Sequence, residues 1–200
     1  IVENITGYDQ QVTLVIPRPS LVNLQEKELK PTDQDSVFVA TAAVNGQMHE
    51  EFRLEGIRGV IMGSKDSQNR MAIAVADVPG VAVDTQPYFC LNKYSGDLLL
   101  SSDGSFYEKR QPVIRSDYGA AVSLTFTLEP FESKTVPFAV ALDFPVQDYI
   151  DGKTFERKYV KNFTNEETRI VDLVKVALTS YPQWWKRTLT IQERIFDLIS

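Results

Sequence analysis

The chain predicts a mainly β fold, an antiparallel β-sandwich followed by a short α-helical extension. Three observations carry this. Short β-branched and aromatic runs recur up to residue 145, each bounded by Gly, Pro, Asn or Asp. No helical pattern alternates with them, which disfavours a parallel sheet. After Phe144-Pro145 the hydrophobic period changes from two to about 3.6. That change marks a β domain handing the chain to helices.

Val12 to Ile16 is a β-branched run that Pro17 and Pro19 are expected to stop. The charged stretch from Glu26 to Asp35 contains Pro31 and reads as a loop. Ser36–Val44 and Gln47–Leu54 flank Asn45-Gly46, a dipeptide suited to the positive φ angles of a type I′ turn, so a hairpin is expected there. Gly56–Met62 and Arg70–Ala76 flank a polar turn at Ser64–Asn69 and predict a second hairpin. From Asp77 to Ser116 the pattern is less regular, with Pro79, Pro87, Pro112 and a turn at Ser101–Gly104.

The clearest strands follow. Val122, Leu124, Phe126 and Leu128 share one face, and Ser123, Thr125 and Thr127 share the other. After a turn at Pro130–Ser133, Val136, Phe138, Val140 and Leu142 share a face, backed by Thr135, Pro137, Ala139 and Ala141. Pro137 predicts a sheet edge or a bulge, because proline cannot donate to a ladder.

The tail reads as three capped helical pieces. Thr164–Glu167 has the form of a capping box, and Ile170, Val174, Ala177, Leu178 and Tyr181 form an apolar stripe behind it. Ser180–Gln183 restarts the pattern with Pro182 in a first turn. Thr190–Glu193 is a third box, followed by Ile191, Ile195, Phe196, Leu198 and Ile199. The expected organisation is a sandwich at 1–145, incomplete at its N-terminus, a linker at 146–163, and a helical segment at 164–200. The helical pattern reaches Ser200 without a stop signal, so a longer polypeptide is expected.

Composition bounds the function. Two hundred residues suffice for one sizeable domain. With 21 basic and 27 acidic residues the net charge is −6, which argues against a nucleic-acid binder. Cys90 is the lone cysteine, so an internal disulfide and a thiolate zinc site are both excluded. A cytoplasmic setting is expected. No apolar run approaches the ~20 residues that span a bilayer, and membrane association is left open. Asn4-Ile5-Thr6 and Asn162-Phe163-Thr164 match the glycosylation sequon, a pattern short enough to arise by chance.

Candidate chemistry is sparse. His49 is the only histidine, lies beside Glu50 and Glu51, and reads best as an exposed strand residue rather than a triad base. Gly56–Gly63 is rich in glycine but lacks phosphate-cradle spacing and a following helix; bends and bulges explain it better. Glycoside hydrolysis needs two carboxylates flanking the bond, and no spacing here selects a pair. Asp143 interrupts an apolar strand end and is expected to anchor the exit from the sheet by hydrogen bonds. Asp66, Asp97, Asp103 and Asp117 sit in or near turns, where Asp is a turn former. Tyr181, Trp184 and Trp185 could stack on a sugar, but their spacing favours a core or domain interface. No catalytic or metal-ligating residue and no cofactor is assigned, and substrate-binding residues are unassigned.

Several motifs in order resemble the N-terminal domain of glycoside hydrolase family 116, which includes glucosylceramidases and β-glucosidases. They are Gly56-Ile57-Arg58-Gly59-Val60, Tyr94-Ser95-Gly96-Asp97, Leu128-Glu129-Pro130 with Glu132, and Ala141-Leu142-Asp143-Phe144-Pro145. Gly152–Phe163, with Arg157 and Tyr159, is similar to the family's basic-aromatic linker. Ala177-Leu178, Tyr181, Trp185 and Gln192 resemble its first helical segment. The chain departs from the pattern at Leu142, beside Phe155 and at Ile191, where the family often carries additional aromatic residues. The resemblance implies a sandwich that precedes an (α/α)6 barrel. It also implies a retaining mechanism whose Glu nucleophile and Asp acid/base lie in that barrel, outside this chain. The implied partner is the downstream catalytic domain, and the implied substrate of the whole enzyme is a β-glucoside or a glucosylated lipid. The alternative is an autonomous carbohydrate- or protein-binding sandwich, using Tyr88, Phe89 or Tyr107 as an aromatic platform. A purely structural scaffold is a third reading.

Overall fold

The computed structural model describes residues 1–19, 24–26, 40–42, 47–54, 56–65, 67–90, 103–106, 118–148 and 152–199. In chain order the strands are β1 (Val2–Glu3), β2 (Gln10–Pro19), β3 (Leu24–Glu26), β4 (Ala40–Ala42), β5 (Gln47–Leu54), β6 (Ile57–Ser64) and β7 (Ser67–Ala76). They continue as β8 (Ala82–Cys90), β9 (Tyr118–Leu128), β10 (Ser133–Lys134), β11 (Phe138–Asp143), β12 (Val146–Asp148) and β13 (Thr154–Glu156). A 3-10 turn at Lys158–Asn162 leads to one helix, α1 (Arg169–Ile199).

Two antiparallel sheets face each other, one in the order β11-β7-β6-β5 and the other β2-β9-β8. Between them lies the main core, built from Val60, Met62, Met71, Ile73 and Val75 on one side and Val122, Leu124, Phe126 and Leu128 on the other. Alternation puts every second residue of β9 into this core. Burying each such side chain contributes about 1.5–3 kcal/mol. The predicted face of β9 is therefore the inner face. Its polar back is covered in part: Ser123 and Thr125 are buried beneath the segment 103–106, while Thr127 is exposed. There Gly104 takes φ +79 and a side chain at that position would collide with Thr125. The Ser123 hydroxyl donates to the Gly104 carbonyl.

Some expectations change. β2 runs on through Pro17 and Pro19. It lies at the margin of its sheet, and two prolines spaced two apart can both turn their missing N–H toward the open edge. The β6–β7 hairpin forms with a tighter turn than expected. β5 pairs with β6, whereas the short β4 pairs with β3, so the expected hairpin across Asn45-Gly46 is not the pairing among the described residues. Between Asp77 and Cys90 the irregular-looking sequence forms β8, whose ladder to β9 shifts register between Gln86 and Phe89. β11 is at an edge, as Pro137 predicts.

The tail is corrected most. α1 is one helix of 31 residues, with Pro182 inside it. Ser180 and Thr190 do not start new helices. The Thr179 and Thr190 hydroxyls donate back to the Lys175 and Lys186 carbonyls, a bond that spends the side chain within the helix. At the start, Thr164–Glu167 makes no capping box. Asn165 Oδ1 accepts the Glu167 N–H instead, and the Thr168 hydroxyl bonds to Asp172.

Candidate functional site at the sheet-to-helix junction

β11 alternates apolar and small residues, and the small side is the one that is covered. Ala139 and Ala141, with Ala72 and Ala74 of β7, form a flat floor on which Ile170, Val174 and Leu178 of α1 pack. Small side chains let the helix approach the sheet closely. On the other side, Phe138 and Leu142 stay about half exposed at the sheet margin. Gly59 of β6 belongs to the same covered face, and a side chain there would strike the backbone of Ile73 and Ala74. The glycine-rich run was expected to serve bends and bulges; at Gly59 it serves a close approach instead, and the irregularity in the β6–β7 ladder falls between Met62 and Ser64.

Asp143 ends β11 on this floor and is fully buried. Arg169, the first residue of α1, is 4% exposed and donates from Nε to both Asp143 carboxylate oxygens at 2.9 Å. The Tyr159 hydroxyl, from the 3-10 turn, donates to Oδ1 at 2.8 Å. Burial, reinforced by the Asp143 carboxylate, raises the Tyr159 phenol well above its ordinary range, so it stays a donor. Arg70, opposite Asp143 in the β7–β11 register, donates to the Glu167 carbonyl at 3.1 Å and to that of Glu166 at 3.3 Å. Two adjacent strands thus hold the start of α1 through one arginine each way. The β12–β13 hairpin follows β11 in the chain and precedes the 3-10 turn, with the Arg157 N–H on the Pro145 carbonyl at 2.8 Å.

Chemically this cluster is closed. The carboxylate has an arginine and a phenol on it and no open side for a substrate, so Asp143 is an anchor, in line with its sequence reading. Tyr159 and Arg169 escaped the sequence reading as its partners. The only signal was the basic-aromatic character of the linker.

His49 corrects its expectation. It is 6% exposed, on the inner face of β5 against Tyr88. Tyr88 and Phe89 fall on opposite sides of β8: Tyr88 stacks on His49, and Phe89 is buried with Phe106. They cannot form one aromatic platform. Tyr107, Asp66, Asp97 and Asp117 lie outside the described residues, as do Asn45-Gly46 and Tyr94–Asp97. Asp103 is a turn former, with Oδ1 accepting the Ser105 N–H at 3.0 Å. Asn4 of the first sequon is buried, its amide donating to the Tyr8, Leu128 and Glu129 carbonyls. Tyr181, Trp184 and Trp185 are exposed on α1. Among the described residues, His, Cys, Asp and Glu side chains form no group of three or more that could hold a metal ion. No described helix is long and apolar enough to cross a membrane.

The family model described as beta-glucosidase 2, glycosyl-hydrolase family 116 N-term matches residues 1–184. The match covers both sheets, the junction and the first half of α1. No curated protein matches the chain.

Proposed function

The chain belongs to glycosyl-hydrolase family 116 as its N-terminal domain, and from that premise we propose that it is the non-catalytic sandwich of a retaining β-glucosidase or glucosylceramidase-like enzyme, packed against a helical catalytic domain. One observation supports the packing role above others. Ile170, Val174 and Leu178 are buried against the sheet, and Tyr181 and Trp185 follow them at the same three-and-four spacing along α1, yet stand 40% and 63% exposed. Ile195 and Phe196 extend the exposed apolar surface. A surface helix that keeps its apolar stripe beyond its own sheet has a face shaped for a further helical layer.

The catalytic carboxylates belong, on this reading, to the helical domain. The sandwich supplies support: the Asp143–Arg169 pair fixes where α1 leaves the sheet, and so fixes the position of whatever packs on its far half. Organisation into a sandwich at 1–145, a linker at 146–163 and a helical start at 164–200 is part of the proposal, as is a cytoplasmic setting, which rests on the lone cysteine. The substrate of the whole enzyme would be a β-glucoside or a glucosylated lipid.

The test is turnover of an aryl β-glucoside by the 200-residue chain and by the longer protein. Activity in the longer protein alone is the expected result. Hydrolysis by the 200 residues overturns the reading.

A further inference from the structure

We infer that the contact of His49 with Pro87 and Tyr88 is an acid-sensitive clasp that holds β5 to β8, so that protonating one imidazole loosens this margin of the sandwich. Among the described residues β5 is an edge strand, paired on one side only, with β6. Its other attachments cross to the second sheet. The His49 backbone N–H donates to the Tyr88 hydroxyl at 3.1 Å, and the imidazole stacks on the Tyr88 ring with centroids 4.6 Å apart and planes 10° from parallel. Nδ1 sits on the Pro87 carbonyl, and the Thr85 hydroxyl donates to Glu51 at 2.7 Å. The register shift in β8 between Gln86 and Phe89 accounts for the arrangement. A bulge frees Pro87 and Tyr88 from the ladder and lets them turn toward β5.

The Pro87 carbonyl accepts a proton-bearing Nδ1, so the neutral ring keeps only a lone pair on Nε2. That atom is buried and has no hydrogen-bond partner among the described residues. A proton added there brings a charge and a second N–H to a buried position where the described residues supply no acceptor. The surrounding charges do not compensate. On β5 the adjacent Glu50 is exposed and turned to the opposite face, while Glu51, two residues along on the same face as His49, is already bonded to Thr85; Arg53 lies further on, opposite Arg58 of β6. On β6 the residue facing His49 is Met62, and β8 carries Tyr88 itself, Asp84, whose carboxylate accepts the Phe106 N–H, and Cys90 at its end. Burial, opposed only in part by the Pro87 carbonyl, holds the imidazole below its ordinary value of 6.5. The open form therefore binds the proton more tightly. The clasp is intact above 6.5 and weakens as pH falls from 6.5 toward the depressed value.

His49 is the only histidine, so its ring Cε1–H gives one imidazole resonance. The experiment is an NMR pH titration of the whole 200-residue chain, with amide hydrogen exchange of β5, corrected for intrinsic rates, in the wild type and in His49→Phe. The variant keeps a ring to stack on Tyr88 and removes the titration. Expected are a wild-type imidazole that titrates below its ordinary value, and β5 exchange that rises by up to about tenfold per pH unit in acid. Expected in His49→Phe is the loss of that rise. An imidazole titrating at or above its ordinary value overturns the inference, as does an equal acid dependence of β5 exchange in the two proteins. Should His49→Phe fail to fold, the wild-type titration decides, with Tyr88→Leu as the second variant. Opening the enclosure in this way should return the imidazole toward its ordinary value, and an unmoved titration overturns the clasp.

Discussion

Asp143 and Arg169 face each other with almost no water to solvate them. A buried ion pair gains little net stability over an apolar pair, but removing one partner strands the other charge. Asp143→Asn and Arg169→Met are each expected to lower the unfolding free energy by about 3–5 kcal/mol. The double variant should lose much less than the sum, and a double-mutant cycle by urea denaturation measures the difference. Tyr159→Phe removes one hydrogen bond to a charged group and should cost about 1.5–3 kcal/mol. The role of Asp143 was legible because a carboxylate at the end of an apolar strand must either face water or find donors. Its partner was not, since Arg169 lies 26 residues away across a hairpin and a turn. His49 was misread for a related reason. Beside Glu50 and Glu51 it looks exposed, but neighbouring residues in a strand point to opposite faces. Its burial depends on a bulge in β8, which leaves no mark on β5.

α1 works as two elements in one helix. Its first half belongs to the sandwich, where Ile170 is fully buried on the alanine floor of β7 and β11. Ile170→Ala is expected to cost about 2–5 kcal/mol in this chain by opening a cavity. Ala141→Leu should cost about 1–3 kcal/mol by forcing the helix off the sheet. Trp185→Ala, at 63% exposure, should change stability by no more than about 0.5 kcal/mol. Thermal denaturation of the three variants separates the buried half from the exposed one. The period of 3.6 was plain in the sequence, but its continuity was not. Caps are local signals, and a Ser or Thr that can cap a new helix can equally bond back to the carbonyl four residues before it. Pro182 looked like a first-turn residue, yet the helix carries it in its interior. The alternation of β11 was equally plain. Which face would be covered was not, because the flat alanine side is chosen by a helix that comes later in the chain.

At the scale of the whole molecule, the sandwich holds α1 at one end and leaves the other unpacked. Both sheets follow from alternation and turn residues, which is why the fold class was readable; the order of strands within them rests on pairings between distant segments. The position of α1 is fixed by Asp143, Arg70 and the alanine floor, so the exposed half projects in a defined direction. A face held rigidly in place can dock with little further loss of entropy. Trp185 and Phe196 lie on that half, with Tyr181 at its approach, while Lys186, Arg187 and Arg194 supply charge to it. If the apolar residues pack against a catalytic domain, Trp185→Ala should lower the thermal midpoint and the glucosidase activity of the longer protein while leaving the 200-residue chain unchanged. Asp143→Asn should instead lower the midpoint of both, because it acts within the sandwich. A Trp185→Ala longer protein that melts and turns over substrate like the wild type would leave the docking proposal without support, whatever the role of the buried pair.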